Sequence, residues 1–352
     1  MRALVTGHDG YVGRLLVPML LARGHAVVGL DTLLYAGCAL GPEQGCPIPA
    51  LRLDVREVAA GTLAGFDAVV HLAGISNDPL GQLSPELTDE INHRAAVRLA
   101  ELSLEAGVPR FLFASTCSVY GAAGEELVDE DAPARPLTAY ARSKAAAEEG
   151  IVALASWSFS PVVLRPGTAY GYSPRLRGDL VVNNLVGNAV ASGRVLIRSD
   201  GAAWRPLVHV EDIARAFAAA LEVPAGSIRE RVLNVGSNEG NLRVRDVAEE
   251  VARAVPGARV VYAPGGEADE RSYRVSFARL ERVLPAARPA RALREGCEEL
   301  AAELRREAIG LGELEGPRLQ RLARIEERLA EGSLDGTLRP AALPARAAVA
   351  VP

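Results

Sequence analysis

Apolar residues along this chain fall in short runs that alternate with stretches of helical spacing, and glycine marks many of the borders. Arg2–Thr6 (RALVT) is a short apolar run, followed by glycines at 7, 10 and 13. Leu15, Leu16, Met19 and Leu20 then recur at helical spacing. Pro18 sits inside that helix and removes a backbone donor, which predicts a local bend. Gly24 ends the helix, and residues 25–30 (HAVVGL) read as a second buried strand closing at Asp31. Further strands are predicted over 50–53, 68–72, 111–114 and 161–165, and helices over 88–106 and 139–155. This alternation predicts an α/β fold, a doubly wound parallel sheet of Rossmann type with both faces covered.

After Pro166 the character shifts. Gly, Pro, Asn and Arg crowd residues 166–206, which read as a loop-rich, ligand-facing cap with short elements. A helix over 210–221, a strand over 232–235 and a helix over 244–254 follow. Residues 290–330 hold two helical patterns laced with Glu and Arg, read as solvated faces. Residues 340–352 are Ala/Pro-rich and read as a disordered tail. The expected division is a first domain over 1–166, which also takes elements from about 206–236. Residues 167–339 form mainly a smaller substrate-binding domain with C-terminal helices. No internal repeat is evident.

Composition narrows the function classes. Hydrophobic residues make up 49% and charged residues 24% of the 352, as expected of a globular chain. The 39 basic and 44 acidic residues give a net charge of −5, so no basic footprint for nucleic acid or anionic lipid exists. Cys38, Cys46, Cys117 and Cys297 form no CxxC pair and no Cys/His cluster of metal-ligand spacing. No metal site is expected, and reduced thiols fit a cytoplasmic protein. No charged segment precedes an apolar run at the start, so no signal peptide is expected. The apolar stretches are too short to span a bilayer.

The glycines between the first strand and first helix carry the first chemical signal. Backbone N–H groups at a helix N-terminus there can hold a pyrophosphate. Gly7 lets the chain turn, Gly10 lets the phosphate approach, and Gly13 lets helix and strand pack. Asp31, closing the next strand, can accept both hydroxyls of an adenosine ribose and repels a 2′-phosphate. That favours NAD over NADP. A plain tight turn is the alternative. Tyr140-Ala-Arg-Ser-Lys144 carries the second signal, since Tyr and Lys at i and i+4 share a helix face. A phenol of pKa about 10 is a poor base at neutral pH. A nearby ammonium stabilises the phenolate and makes it a usable acid/base. Upstream, Ser115-Thr-Cys-Ser-Val-Tyr-Gly121 follows a buried strand. A hydroxyl at that strand end can share a substrate proton with Tyr140.

GHDGYVG, Asp31, HLAG (71–74), STCSVYG and YARSK, in that order, resemble an extended short-chain dehydrogenase/reductase. Within it the chain is similar to the NAD-dependent nucleotide-sugar epimerases and dehydratases, from Met1 to about Arg339. The resemblance implies that Gly7, Gly10, Tyr11, Val12 and Gly13 wrap the pyrophosphate of NAD. It implies that Asp31 binds the adenosine ribose and that Asp54 and Val55 flank the adenine. Leu72, Ala73 and Gly74 would line the cofactor groove with support from Asn92. Thr116 matches the catalytic Ser/Thr, Tyr140 the base, and Lys144 its partner, which also holds the nicotinamide ribose. Thr168 falls where substrate and nicotinamide meet. Asn184, Arg205 and Arg271 match residues that hold a nucleotide diphosphate. Arginine forks suit phosphate oxygens. Ser76, Asn77 and Asp78 lie on a loop that faces the sugar. Asp78 binds sugar hydroxyls, acts as an acid, or simply makes an Asx-Pro turn.

The resemblance also bears on the reaction. Sugar 4,6-dehydratases carry Asp-Glu directly after the threonine, and decarboxylating members carry a Glu two positions before the tyrosine of VYG. Here Cys117 and Ser118 break both patterns, which matches a C4 epimerase working through a transient 4-keto sugar. Cys117 leaves alternatives open: a C3 or C5 epimerase or a dehydratase if its thiol exchanges protons, or a small packing residue. A 4-keto-sugar reductase or dehydrogenase, and a non-catalytic NAD-binding scaffold, are the other readings. Arg175 and Arg177 read a carboxylate or phosphate, or sit on a solvated loop. His8, His71, His93 and His209 read as structural. The expected assembly is a homodimer through the helices over 88–106 and 139–155.

Overall fold

Alternation along β1 (Arg2–Thr6) sets the layers. Ala3 and Val5 point into one core with Leu16, Val17 and Phe217, whereas Leu4 joins Val28, Leu30, Phe111 and Phe113 in another. A strand with apolar side chains on both sides must be covered on both faces. The computed structural model describes residues 1–341 apart from 44, 77, 225, 226, 229, 230, 267, 268 and 270. After β1 come β2 (Ala26–Asp31), β3 (Ala50–Arg52), β4 (Ala68–His71), β5 (Arg110–Ala114), β6 (Ser160–Pro166) and β7 (Val232–Val235). They form one parallel sheet in the order β7-β6-β5-β4-β1-β2-β3. The order reverses between β1 and β4, and the crevice beyond the C-terminal ends of those strands is where such sheets bind ligands.

The helices are α1 (Gly13–Ala22), α2 (Ala95–Glu105), α3 (Ala139–Ala153), α4 (Val181–Ser192), α5 (Val210–Glu222), α6 (Val244–Ala254), α7 (Leu293–Arg306) and α8 (Arg321–Ala330). α1 and α5 cover one face of the sheet, α2 and α3 the other. α1 runs through Pro18 without a break. The helical run predicted from 88 begins earlier, at Pro85, where Ser84 Oγ accepts from Leu87 N at 3.3 Å. It widens into a π turn over Glu90–Arg94 before α2, and that turn presents Asn92. A second core gathers α4, α6 and α7.

Two expectations are corrected. The stretch 166–206 is not mainly loop: it contains the three-turn α4 and the strands Thr168–Tyr170 and Arg194–Ile197. Gly187 lets α4 pack closely, since a Cβ there would stand 2.5 Å from Leu314. The charges of 290–330 are not all solvated, because α8 buries Arg321 and Arg328. Arg328 Nη1 donates to the carbonyls of Leu33 and Leu34, and Arg324 Nη2 to that of Ala36. The tail expected from 340 lies outside the described residues from 342 onward, while Pro340 pairs with Leu334. All four cysteines are free thiols. Among the described residues no helix is long and apolar enough to cross a membrane, and no group of side chains could hold a metal.

Candidate active site

A cavity of about 690 Å³ follows the C-terminal ends of the strands from Asp31 and Asp54 to α4. Bare backbone forms its middle. Gly7 has φ +71°, and a Cβ on it would lie 2.7 Å from Ala73 N; one on Gly13 would lie 2.3 Å from Gly7 O. Gly10, Tyr11 and Val12 bring the start of α1 to the cavity wall opposite Leu72, Ala73 and Gly74. Side chains at Gly7 and Gly13 would collide with backbone, so glycine there lets the turn close tightly at the start of α1, where a pyrophosphate fits a helix N-terminus. Tyr11 Oη donates to Gly171 O at 2.6 Å and fixes the loop to the turn after Tyr170.

At the end of the cavity by β2, Asp31 accepts from Leu33 N at 2.8 Å and Asp9 N at 3.2 Å, and burial holds its carboxyl above the usual range. Burial also pushes Asp54 up, but hydrogen bonds from Arg56 outweigh it and hold that carboxyl low. Val55 lines the same wall. Asn92 is not on the wall: it exchanges two 2.8 Å bonds with the Ile75 backbone and donates to Ser143 Oγ, bracing the loop from behind.

Thr116, Tyr140 and Lys144 lie further along the cavity. Thr116 caps a short 3₁₀ turn, Cys117–Tyr120, with its Oγ1 accepting from Ser118 N at 3.1 Å. Its hydroxyl donates to Ser118 Oγ at 3.1 Å and stands beside the Tyr140 phenol. Burial pushes Tyr140 up to about 12; the largest opposing influence is the Arg177 guanidinium, then the Thr116 bond. Lys144, expected to supply that charge, instead donates Nζ to Ala114 O at 2.8 Å and lies 4.7 Å over the Phe113 ring. Burial brings its ammonium down to about 8. Arg177 lines the cavity, grips Asp179 with a fork, and donates to Ser76 Oγ at 3.0 Å. It is therefore not a solvated loop residue. Arg175 is different: it pairs with Asp9 and Glu43 outside the cavity wall.

Cys117 is corrected. Its side chain is turned away from the cavity, 1% exposed, with Sγ donating to Arg165 O at 3.1 Å. Burial drives this thiol well above its ordinary value, so it holds its proton and packs against Tyr120 and Phe277. Ser118 faces the cavity instead, with Tyr273 Oη 3.4 Å from its Oγ. Of the sugar-facing loop, Asn77 lies outside the described residues. Ser76 meets Arg177, and Asp78 accepts from Thr138 Oγ1 at 2.7 Å and Arg271 Nη1 at 2.8 Å.

At the far end Thr168, Asn184, Arg205 and Arg271 share the wall. Asp269 joins the two arginines, 2.5 Å from Arg205 Nη2 and 3.0 Å from Arg271 Nη2. Sequence reasoning missed Asp269 and Tyr273, although both flank Arg271 in ADERSYRV.

The family model described as "NAD dependent epimerase/dehydratase family" matches residues 3–236. The chain belongs to that family. It is an NAD-dependent epimerase/dehydratase, and the family's cofactor has the cradle it requires in Gly7–Gly13. The UDP-glucose 4-epimerase of Mycolicibacterium smegmatis is 31% identical over 266 residues, 73% of this chain and 82% of the relative. The UDP-glucose 4-epimerase of Thermus thermophilus, solved with NAD, superimposes with a TM-score of 0.73 at 29% identity, covering 87% and 99% of the two chains. An NAD-dependent NDP-hexosamine 5,6-dehydratase, TunA, has a TM-score of 0.76 at 26% identity, covering 87% and 98%. Both reaction types therefore occur among similar epimerase/dehydratase structures.

Proposed function

We propose that this enzyme epimerises a nucleotide-diphosphate sugar at C4. One observation carries the reading: Thr116 and Ser118 face the cavity while the residue between them turns its thiol into the core. The position after the threonine thus presents neither carboxylate nor thiolate to expel a C6 hydroxyl or exchange a proton at C3 or C5. When bound, NAD supplies a reversible two-electron acceptor. Tyr140 Oη would take the C4 hydroxyl proton as C4 is oxidised and give it back to the same oxygen as C4 is reduced from its opposite face, with the Thr116 hydroxyl beside it. Arg177 supports the phenolate by charge, Lys144 is fixed at the end of β5, and Arg205 and Arg271 hold the diphosphate while the keto sugar turns.

Free thiols fit a reducing cytoplasm. Residues 1–166 with β7 would form the NAD domain, and most of 167–339 the sugar-nucleotide domain. The pairing surface of a homodimer would be the outer faces of the helical run before and through α2 and of α3. The test is incubation of the holoenzyme with UDP-glucose and related nucleotide sugars, followed by mass spectrometry and proton NMR. A product of unchanged mass with an inverted C4 centre is expected. A product lighter by one water, or two hydrogens heavier, overturns the reading.

A further inference from the structure

We propose that the C-terminal segment 321–338 completes the dinucleotide site, with Arg321 donating to the diphosphate and Leu338 covering the adenine. The inference rests on reading the Gly7–Gly13 groove as the dinucleotide site. It concerns residues beyond the 3–236 stretch that the family model matches.

Arg321 opens α8 and lines the cavity, yet it is only 3% exposed. Its Nη2 donates to Arg175 O at 2.9 Å, and its guanidinium lies 4.2 Å over the Tyr35 ring. Its Nη1 is buried without any hydrogen-bond partner. A buried guanidinium N–H left unpaired is costly, and native chains keep one where a ligand or water completes it. The charges around it select the ligand's chemistry. Arg177 adds a second cation, and Asp179 is already gripped by Arg177. The remaining positive charge suits an anion. Within a dinucleotide the anion is the diphosphate, and Tyr35 lies four residues beyond the ribose-binding Asp31.

Leu338 stands at the other end of the segment. It is a non-glycine residue with φ +58°, 4% exposed, on the same wall as Leu34, Asp54, Val55 and Ile75. A left-handed leucine is strained and persists only where its surroundings hold it. They do: Asp335 accepts from the backbone of Thr337 at 2.8 Å and Arg339 at 3.0 Å. Arg56 Nη2 donates to Thr337 O at 2.9 Å, so the residue that orders Asp54 also pins this turn. The strained turn thus delivers an apolar side chain to the adenine wall.

The test uses full-length protein stripped of resident cofactor and titrated calorimetrically with NAD, ADP and adenosine. Arg321→Gln is expected to weaken NAD and ADP by roughly 10- to 100-fold and to leave adenosine unchanged, as for a lost charged hydrogen bond. Arg321→Lys should recover part of that loss. Leu338→Ala should weaken all three ligands, by about 3- to 10-fold from the apolar area removed. Wild-type NAD affinity in Arg321→Gln, or an equal loss for NAD and adenosine, overturns the role of Arg321. Unchanged affinities in Leu338→Ala overturn the cover. Wild-type protein that binds none of the three overturns the reading of the groove itself, and this inference with it.

Discussion

Lys144 Nζ donates to the backbone carbonyl of Ala114, 2.8 Å away at the end of β5. The bond ties α3, which carries Tyr140, to the strand that delivers Thr116. It makes Lys144 a joint between the two reacting hydroxyls as well as a charge near them.

Burial costs this ammonium, so it titrates near 8 instead of 10.5. Between those values the unfolded chain holds more protons at this site than the folded one. Stability gained through Lys144 therefore rises with pH from about 8 and is lost as pH falls through 8. Lys144→Met removes the titration. The stability of the variant relative to wild type, from urea unfolding without cofactor, should be greatest below pH 8 and shrink toward pH 10. A difference that is flat in pH would contradict a buried, titrating Lys144.

The charge that faces the Tyr140 phenol belongs to Arg177. Removing it should take away the largest influence opposing burial and raise the phenol further. Arg177→Gln should therefore move the rising limb of the pH–rate profile to higher pH, while Arg177→Lys restores part of the shift. Tyr140→Phe should lower turnover by about 10²- to 10⁴-fold while NAD binding persists. A Tyr140→Phe enzyme of full activity would take the phenol out of the chemistry.

Cys117 is buried and pinned to Arg165 O. Cys117→Ala should keep wild-type turnover and lose about 1 kcal/mol of stability, the cost of a small cavity and a weak hydrogen bond. In the folded wild type this thiol should resist iodoacetamide, read by peptide mass mapping. Loss of turnover in a stable Cys117→Ala protein would return the thiol to the chemistry.

The sheet strands, the glycine turn and α3 were legible because each is a local pattern: a short apolar run, glycines at fixed spacing, helical spacing. Cys117 was not, because its orientation depends on the turn it sits in. Thr116 is the extended cap of the 3₁₀ turn, and it and Ser118 line the cavity, while Cys117, the turn's first residue, puts its thiol on the Arg165 carbonyl. α4 was hidden because Asn-Asn and Gly187 look like loop. In the fold Asn183 bonds Gly171 N at 2.9 Å, and Gly187 admits Leu314. Asp269 and Arg321 act through partners far away in sequence, Arg205 and the loop after β2, and no local spacing encodes such contacts.

Arg271 closes the far end of the site by pairing with Asp78 at 2.8 Å and Asp269 at 3.0 Å. An incoming diphosphate must compete with these carboxylates for the same guanidinium. Arg271→Met should thus raise KM for the nucleotide sugar by roughly 10- to 100-fold with kcat little changed. Asp78→Asn separates two roles for the carboxylate. If Asp78 only competes for Arg271, its loss frees the arginine and lowers KM. If Asp78 delivers a proton, its loss lowers kcat and leaves KM in place. The Thr138 hydroxyl already occupies one Asp78 oxygen at 2.7 Å and Arg271 the other, so both are engaged on the protein side. The expected outcome is therefore the lower KM, measured by steady-state kinetics with varied sugar nucleotide at saturating NAD.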